Sequence, residues 1–98
     1  MAVDIDLEGV ETRMVNRLVD FIGKDVLEIG CGDGRLTRRY ADRAASVLAI
    51  DPSEALIALA EEHTPDPVRS VVTFQTADIT TFEPPEATFD VVVLAWCI

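Results

Sequence analysis

The chain has 98 residues, of which 49% are hydrophobic and 27% charged, so it is one small globular domain and not a disordered segment. Its 18 Asp and Glu outnumber 8 Lys and Arg, for a formal net charge of −10. That balance argues against nucleic acid or an anionic membrane as a partner, because both demand a basic surface. Lys24 is the sole lysine. Two readings stand side by side: a salt-adapted acidic surface, or a GC-rich genome that depletes lysine.

The N-terminal MAVDIDLEG is acidic and has no basic-then-apolar leader. The longest apolar run falls well short of a membrane span, so a cytoplasmic protein is expected. Val10, Met14, Val15, Leu18, Phe21 and Ile22 recur at helical spacing, which predicts a helix over residues 10–22 stopped at Gly23. DVLEIGC, residues 25–31, is short, apolar and glycine-bounded, the pattern of a buried strand. Leu36 and Tyr40 share a face of a short helix that begins near Gly34. SVLAID is the second strand, ending at Asp51. Pro52 and Ser53 open a helix to about His63, with Leu56, Leu59 and Ala60 on one face.

TPDP, residues 64–67, is a turn, and residues 68–76 read as a third strand. EPPEAT is a loop, and FDVVVLAW, residues 89–96, a fourth strand. Strands alternating with helices imply right-handed crossovers and a parallel sheet. Cys31 and Cys97 stand apart with no CxxC, so they predict neither a zinc site nor a disulfide framework, and both read as small packing residues.

The stretch VLEIGCGDGRLT carries the strongest signal. Gly30, Gly32 and Gly34 alternate directly after a strand, so the backbone can reach positive φ and approach a ligand closely. The dinucleotide spacing GxGxxG fails, since Arg35 stands where its third glycine belongs. The charge fails too: Glu28 and Asp33 would repel a pyrophosphate. A cationic ligand suits the same loop.

With these residues the chain resembles the class I S-adenosylmethionine-dependent methyltransferases. Glu28, Gly30, Gly32 and Gly34 match their first motif, an acidic residue followed by GxGxG. Asp51 resembles the acidic residue that accepts from both ribose hydroxyls, although it could instead cap the following helix. Asp78 in TADI resembles the acceptor for the adenine amino group, with Ile79 against the ring. Phe89-Asp90 followed by VVVLAW resembles the fourth strand, which borders the transferable methyl.

The resemblance implies an α/β fold, a Rossmann-like three-layer sandwich with parallel strands in order 3-2-1-4, truncated relative to the seven-stranded family. It implies S-adenosylmethionine as cofactor, with contacts from Glu28, Gly30, Cys31, Gly32, Gly34, Asp51, Pro52, Asp78 and Ile79. Residues 1–24 would be an N-terminal helical segment and residues 25–98 the cofactor-binding half-domain. No catalytic base and no metal ligand can be named. The acidity favours a small-molecule acceptor over nucleic acid. The rival expectation is a cofactor-binding fragment without turnover, or one half of a split enzyme. With no fifth strand, VVVLAWCI would be an exposed apolar edge that seeks a second copy or a partner chain to complete the sheet. Lysine at Val93 or Ala95 would then block that pairing.

Overall fold

The computed structural model describes the backbone of residues 2–4 and all of residues 21–84 and 89–95. Its elements in chain order are β1 (Ala2–Asp4), β2 (Asp25–Ile29), α1 (Thr37–Tyr40), β3 (Ser46–Asp51), α2 (Glu54–His63), a 3₁₀ turn (Asp66–Val68), β4 (Val72–Thr76) and β5 (Val91–Leu94). The helix expected over residues 10–22 falls, up to residue 20, outside the described residues. Ile22 and Gly23 form a turn, with Gly23 N donating to Arg43 O at 3.0 Å.

The strands form one sheet in order β1-β5-β2-β3-β4, and every pairing is parallel. Counted from β2, this is the expected order 3-2-1-4 with one strand added. β2 lies at the centre and is buried from Val26 to Ile29, as a strand covered on both faces must be. The register pairs Ile29 with Ile50 and with Leu94, and Asp51 with Thr76. The carboxyl ends of β2, β3 and β4 therefore lie side by side.

Three expectations are corrected. The third strand starts at Val72, not Val68, because Pro65 and Pro67 set a tight turn in which Val68 N donates to Pro65 O at 3.1 Å. On α2 the buried face is Ile57 and Ala60, while Leu56 and Leu59 are 37% and 40% exposed. The sequence EALIALA is apolar at six successive positions, so spacing alone could not choose the face. The fourth strand, β5, is no free edge: Ala2, Val3 and Asp4 pair with Val92, Val93 and Leu94. Val93 and Ala95 are fully buried, so a lysine there would bury a charge and destabilise the fold. The opposite edge, β4, presents Thr73, Gln75 and Thr76 to solvent, a polar edge that discourages further pairing.

Side chains alternate along each strand and divide the core in two. One cluster joins Val26, Val47, Ala49, Val91 and Val93 to Tyr40 of α1 and Ile57 of α2. Phe21 closes it by stacking on Tyr40, with ring centroids 4.2 Å apart. The other cluster holds Leu27, Ile29 and Ile50, flanked by half-buried Ala77, Phe82 and Phe89 from the loops around β4 and β5. Among the described residues, helices cover only the first face.

Candidate functional site

The glycine loop leaves β2 after Ile29 and is stitched to the end of β3. Gly30 N and Cys31 N both donate to Ile50 O, at 2.8 and 3.0 Å. Gly32 N donates to Asp51 Oδ2 at 2.9 Å. Two of the glycines differ in what demands them. Gly32 has φ +57° and nothing within 4 Å of where a Cβ would stand, so it faces open space. Gly34 has φ +81° and backs onto Ala60 Cβ and Arg38 Nη1, each 3.2 Å from that position, and Phe74 Cζ at 3.4 Å. Arg38 Nη1 also donates to Asp33 O at 2.7 Å and holds the loop from behind.

Asp51 ends β3 nearly buried, with both carboxylate oxygens engaged. Oδ2 holds Gly32, and Oδ1 accepts from Ser53 N at 2.9 Å. Ser53, not Asp51, caps α2, since its Oγ accepts from Leu56 N at 3.2 Å. Asp51 thus links the glycine loop to the entrance of the helix.

A cleft of about 240 Å³ opens at these strand ends. Ile29 and Gly30 supply one wall, and Ile50, Asp51 and Pro52 the floor. Ala77, Asp78 and Ile79, from the turn after β4, close the far side. Asp78 Oδ1 accepts from Thr80 N at 2.9 Å and Thr80 Oγ1 at 2.8 Å. The Thr80 backbone bond, aided by the hydroxyl, holds this exposed carboxyl below the usual range. Of the residues singled out in the sequence, the cleft gathers Gly30, Asp51, Pro52, Asp78 and Ile79.

Glu28 is placed elsewhere. It shares a face of β2 with Val26, opposite to Ile29, and is fully buried. Oε1 accepts from Thr37 Oγ1 at 2.9 Å and Tyr40 OH at 2.5 Å, while Oε2 has no hydrogen-bond partner among the described residues. Burial pushes the carboxyl up to about 7, against the pull of the Tyr40 and Thr37 hydrogen bonds. Burial likewise raises the Cys31 thiol, with the nearby Glu28 and Asp51 carboxylates adding to it. Cys31 is therefore an inert thiol under the loop. Thr37, Arg38 and Tyr40 were missed by motif reading. Their signal was present in outline: Thr37 and Tyr40 stand three apart on the helix that follows the loop, so both can face the same buried atom.

The residues suit an adenosine-bearing cation. The cleft has apolar side chains in Ile29, Ile50 and Ile79, two carboxylates, and among the described residues no Lys, Arg or His in its lining. A pyrophosphate would meet repulsion there, and a positive group attraction. Among the described residues no cluster of His, Cys, Asp and Glu could hold a metal ion. A second cleft, between the end of α2 and the start of β4, includes Glu61, Thr64 and Arg69 and corresponds to no motif.

A parallel sheet with its cleft at the carboxyl strand ends, beside a glycine loop, defines an α/β domain of the nucleotide-cofactor-binding class. Residues 26–98 match the family model described as "Methyltransferase domain", and the chain belongs to the class I S-adenosylmethionine-dependent methyltransferases. The ubiquinone biosynthesis O-methyltransferase of Pseudomonas fluorescens strain SBW25 is 39% identical over 88 residues, which cover 89% of this chain and 38% of that protein. The crystal structure of an S-adenosylmethionine-dependent methyltransferase from Mesorhizobium loti superposes with a TM-score of 0.71 at 29% identity. That match covers 88% of this chain and 38% of the other. Phosphoethanolamine N-methyltransferase 1 of Haemonchus contortus, solved with phosphoethanolamine and S-adenosylhomocysteine, matches with a TM-score of 0.68 at 29% identity. It covers 81% of this chain and 16% of that one.

Proposed function

We propose that this chain is the cofactor-binding part of an S-adenosylmethionine-dependent methyltransferase that acts on a small-molecule acceptor. The observation that carries the reading is the cleft beside the glycine loop, with Asp51 and Asp78 in its lining and no cation there among the described residues. Bound there, the cofactor supplies a methyl carbon made electrophilic by its sulfonium. Asp51 keeps lone pairs for the ribose hydroxyls beyond the two backbone N–H groups it already holds. Ile79, 48% exposed, offers its side chain to the adenine ring, and Asp78 beside it accepts from the exocyclic amine. Gly32, open on its ligand side, lets the methionine portion lie against the backbone.

Displacement at a sulfonium carbon needs alignment more than acid or base, so these residues act by holding the cofactor in place. Acceptor binding is assigned to the portion of the relatives that this chain does not match, since it spans 38% of the Pseudomonas protein. The relatives named for ubiquinone biosynthesis and for phosphoethanolamine support a small acceptor. The expectation that a second copy or a partner chain completes the sheet stays within this proposal, although β5, the strand expected to seek it, is already paired with β1.

Isothermal titration tests the reading. Saturable heat is expected with S-adenosylmethionine and S-adenosylhomocysteine, and weaker binding with NAD. Equal or tighter binding of NAD would overturn the cofactor assignment.

A further inference from the structure

Glu28 is the one polar side chain of the described residues that is wholly buried with an oxygen left unpartnered. It lies under the glycine loop, two residues before Gly30, yet on the face of the sheet away from the cleft. Its contacts are neutral: the Thr37 hydroxyl and the Tyr40 phenol, both from α1. The register partners are Ala49 on β3 and Val93 on β5, which are apolar. The neighbouring Cys31 thiol feels Glu28 together with the Asp51 and Asp33 carboxylates. The Arg38 guanidinium of α1 donates to Asp33 O behind Gly34 and makes no hydrogen bond or ion pair with Glu28. No ion pair reaches Glu28 among the described residues.

We propose that Glu28 is a proton-holding positioning residue of the glycine loop, which keeps its proton in the free protein and releases it when a cationic ligand occupies the loop. The inference rests on the cofactor reading above. A lone buried carboxylate is costly without a counter-charge. In the free protein a proton removes that cost, in keeping with the upward displacement of this carboxyl to about 7. A positive group held at Gly30–Gly34, the loop that begins two residues after Glu28, would favour the charged form of the carboxyl. The Glu28 O–H bond then breaks, and the proton passes to bulk solvent. The carboxylate left behind accepts more strongly from Thr37 and Tyr40, which tightens α1 against the underside of the loop. Reciprocity follows from linkage: if the ligand expels the proton, raising the pH must raise the affinity.

The test is titration calorimetry of the full chain with S-adenosylmethionine, repeated in phosphate, HEPES and Tris, whose ionisation enthalpies differ. Expected is a net proton release near neutral pH, and an affinity that rises about threefold to tenfold from roughly pH 5.5 to pH 8. S-adenosylhomocysteine, without the sulfonium charge, should release less. Tyr40→Phe removes a hydrogen bond that favours the charged form, so it should move the release maximum to higher pH. Glu28→Gln should abolish release and flatten the affinity profile. Saturable binding whose heat is the same in all three buffers, at every pH, would overturn the role of Glu28 and leave the cofactor reading intact. Absence of saturable heat would overturn the cofactor reading itself. The proton is then decided separately, by ¹³C NMR of the Glu28 side-chain carboxyl in the free chain. A midpoint in the ordinary carboxylate range would overturn the proposal, and one near neutrality supports it.

Discussion

On one face of the sheet, Val26, Val47, Val91 and Val93 close against α1 and α2, and nearly every side chain there is excluded from water. On the other, Leu27, Ile29 and Ile50 are buried, but their cover is half-exposed loop. The carboxylates divide in the same way. Glu28 sits in the helical face with two hydroxyls for company, whereas Asp51 and Asp78 border the cleft and accept backbone N–H groups. The contrast teaches that a closed core and an open cleft are built on opposite sides of the same five residues of β2. The helical face fixes the loop from below, and the open face leaves room above it.

Core substitutions should separate the two faces most sharply. Tyr40→Ala removes the ring stacked on Phe21 and strips a donor from Glu28, and should cost about 3–5 kcal/mol. Phe82→Ala, half-buried on the other face, should cost only about 1 kcal/mol. Urea unfolding of both variants measures the difference. Similar losses would mean that the second face is packed as firmly as the first.

The pH dependence of stability sharpens the comparison next. A carboxyl raised from 4.5 to about 7 in the folded chain binds its proton more tightly there than in the unfolded chain. Its contribution is therefore full below about pH 4.5, declines as pH rises through about 7, and is level above that. Melting temperature of the wild type should fall across this window, and that of Glu28→Gln should fall less. Parallel curves would show that the buried carboxyl does not titrate there.

The smallest effect is expected within the glycine loop. Gly34→Ala meets both positive φ and three close neighbours, so about 2 kcal/mol of stability should be lost. Gly32→Ala meets strain alone, about 1 kcal/mol, but puts a methyl into the open side of the loop. Thermal melts should rank Gly34→Ala as the less stable variant, and titration with S-adenosylmethionine should rank Gly32→Ala as the weaker binder. A reversed ranking in either assay would exchange their roles.

The sequence by itself determined whatever rests on local chemistry. The bounds of β3 and the far end of α2 follow from an apolar run stopped at Asp51 and a helix opened by Pro52 and Ser53. The parallel sheet follows from strands alternating with helices, and its order 3-2-1-4 from the family resemblance that the glycine motif carries. The positive φ angles at Gly30, Gly32 and Gly34 follow from alternate glycines after a strand. Only the tertiary structure decided what depends on distant neighbours. It chose Ile57 and Ala60 as the inner face of α2, because six successive apolar residues, Ala55 to Ala60, mark no stripe until a sheet is set against them. It paired Ala2–Asp4 with β5, a contact across almost the whole chain that three residues cannot announce. It also gave the four acidic residues around the loop different surroundings. Glu28, Asp33, Asp51 and Asp78 are all acidic in the sequence, and only packing buries Glu28 against two hydroxyls while it leaves Asp51 and Asp78 at the cleft, accepting backbone N–H groups.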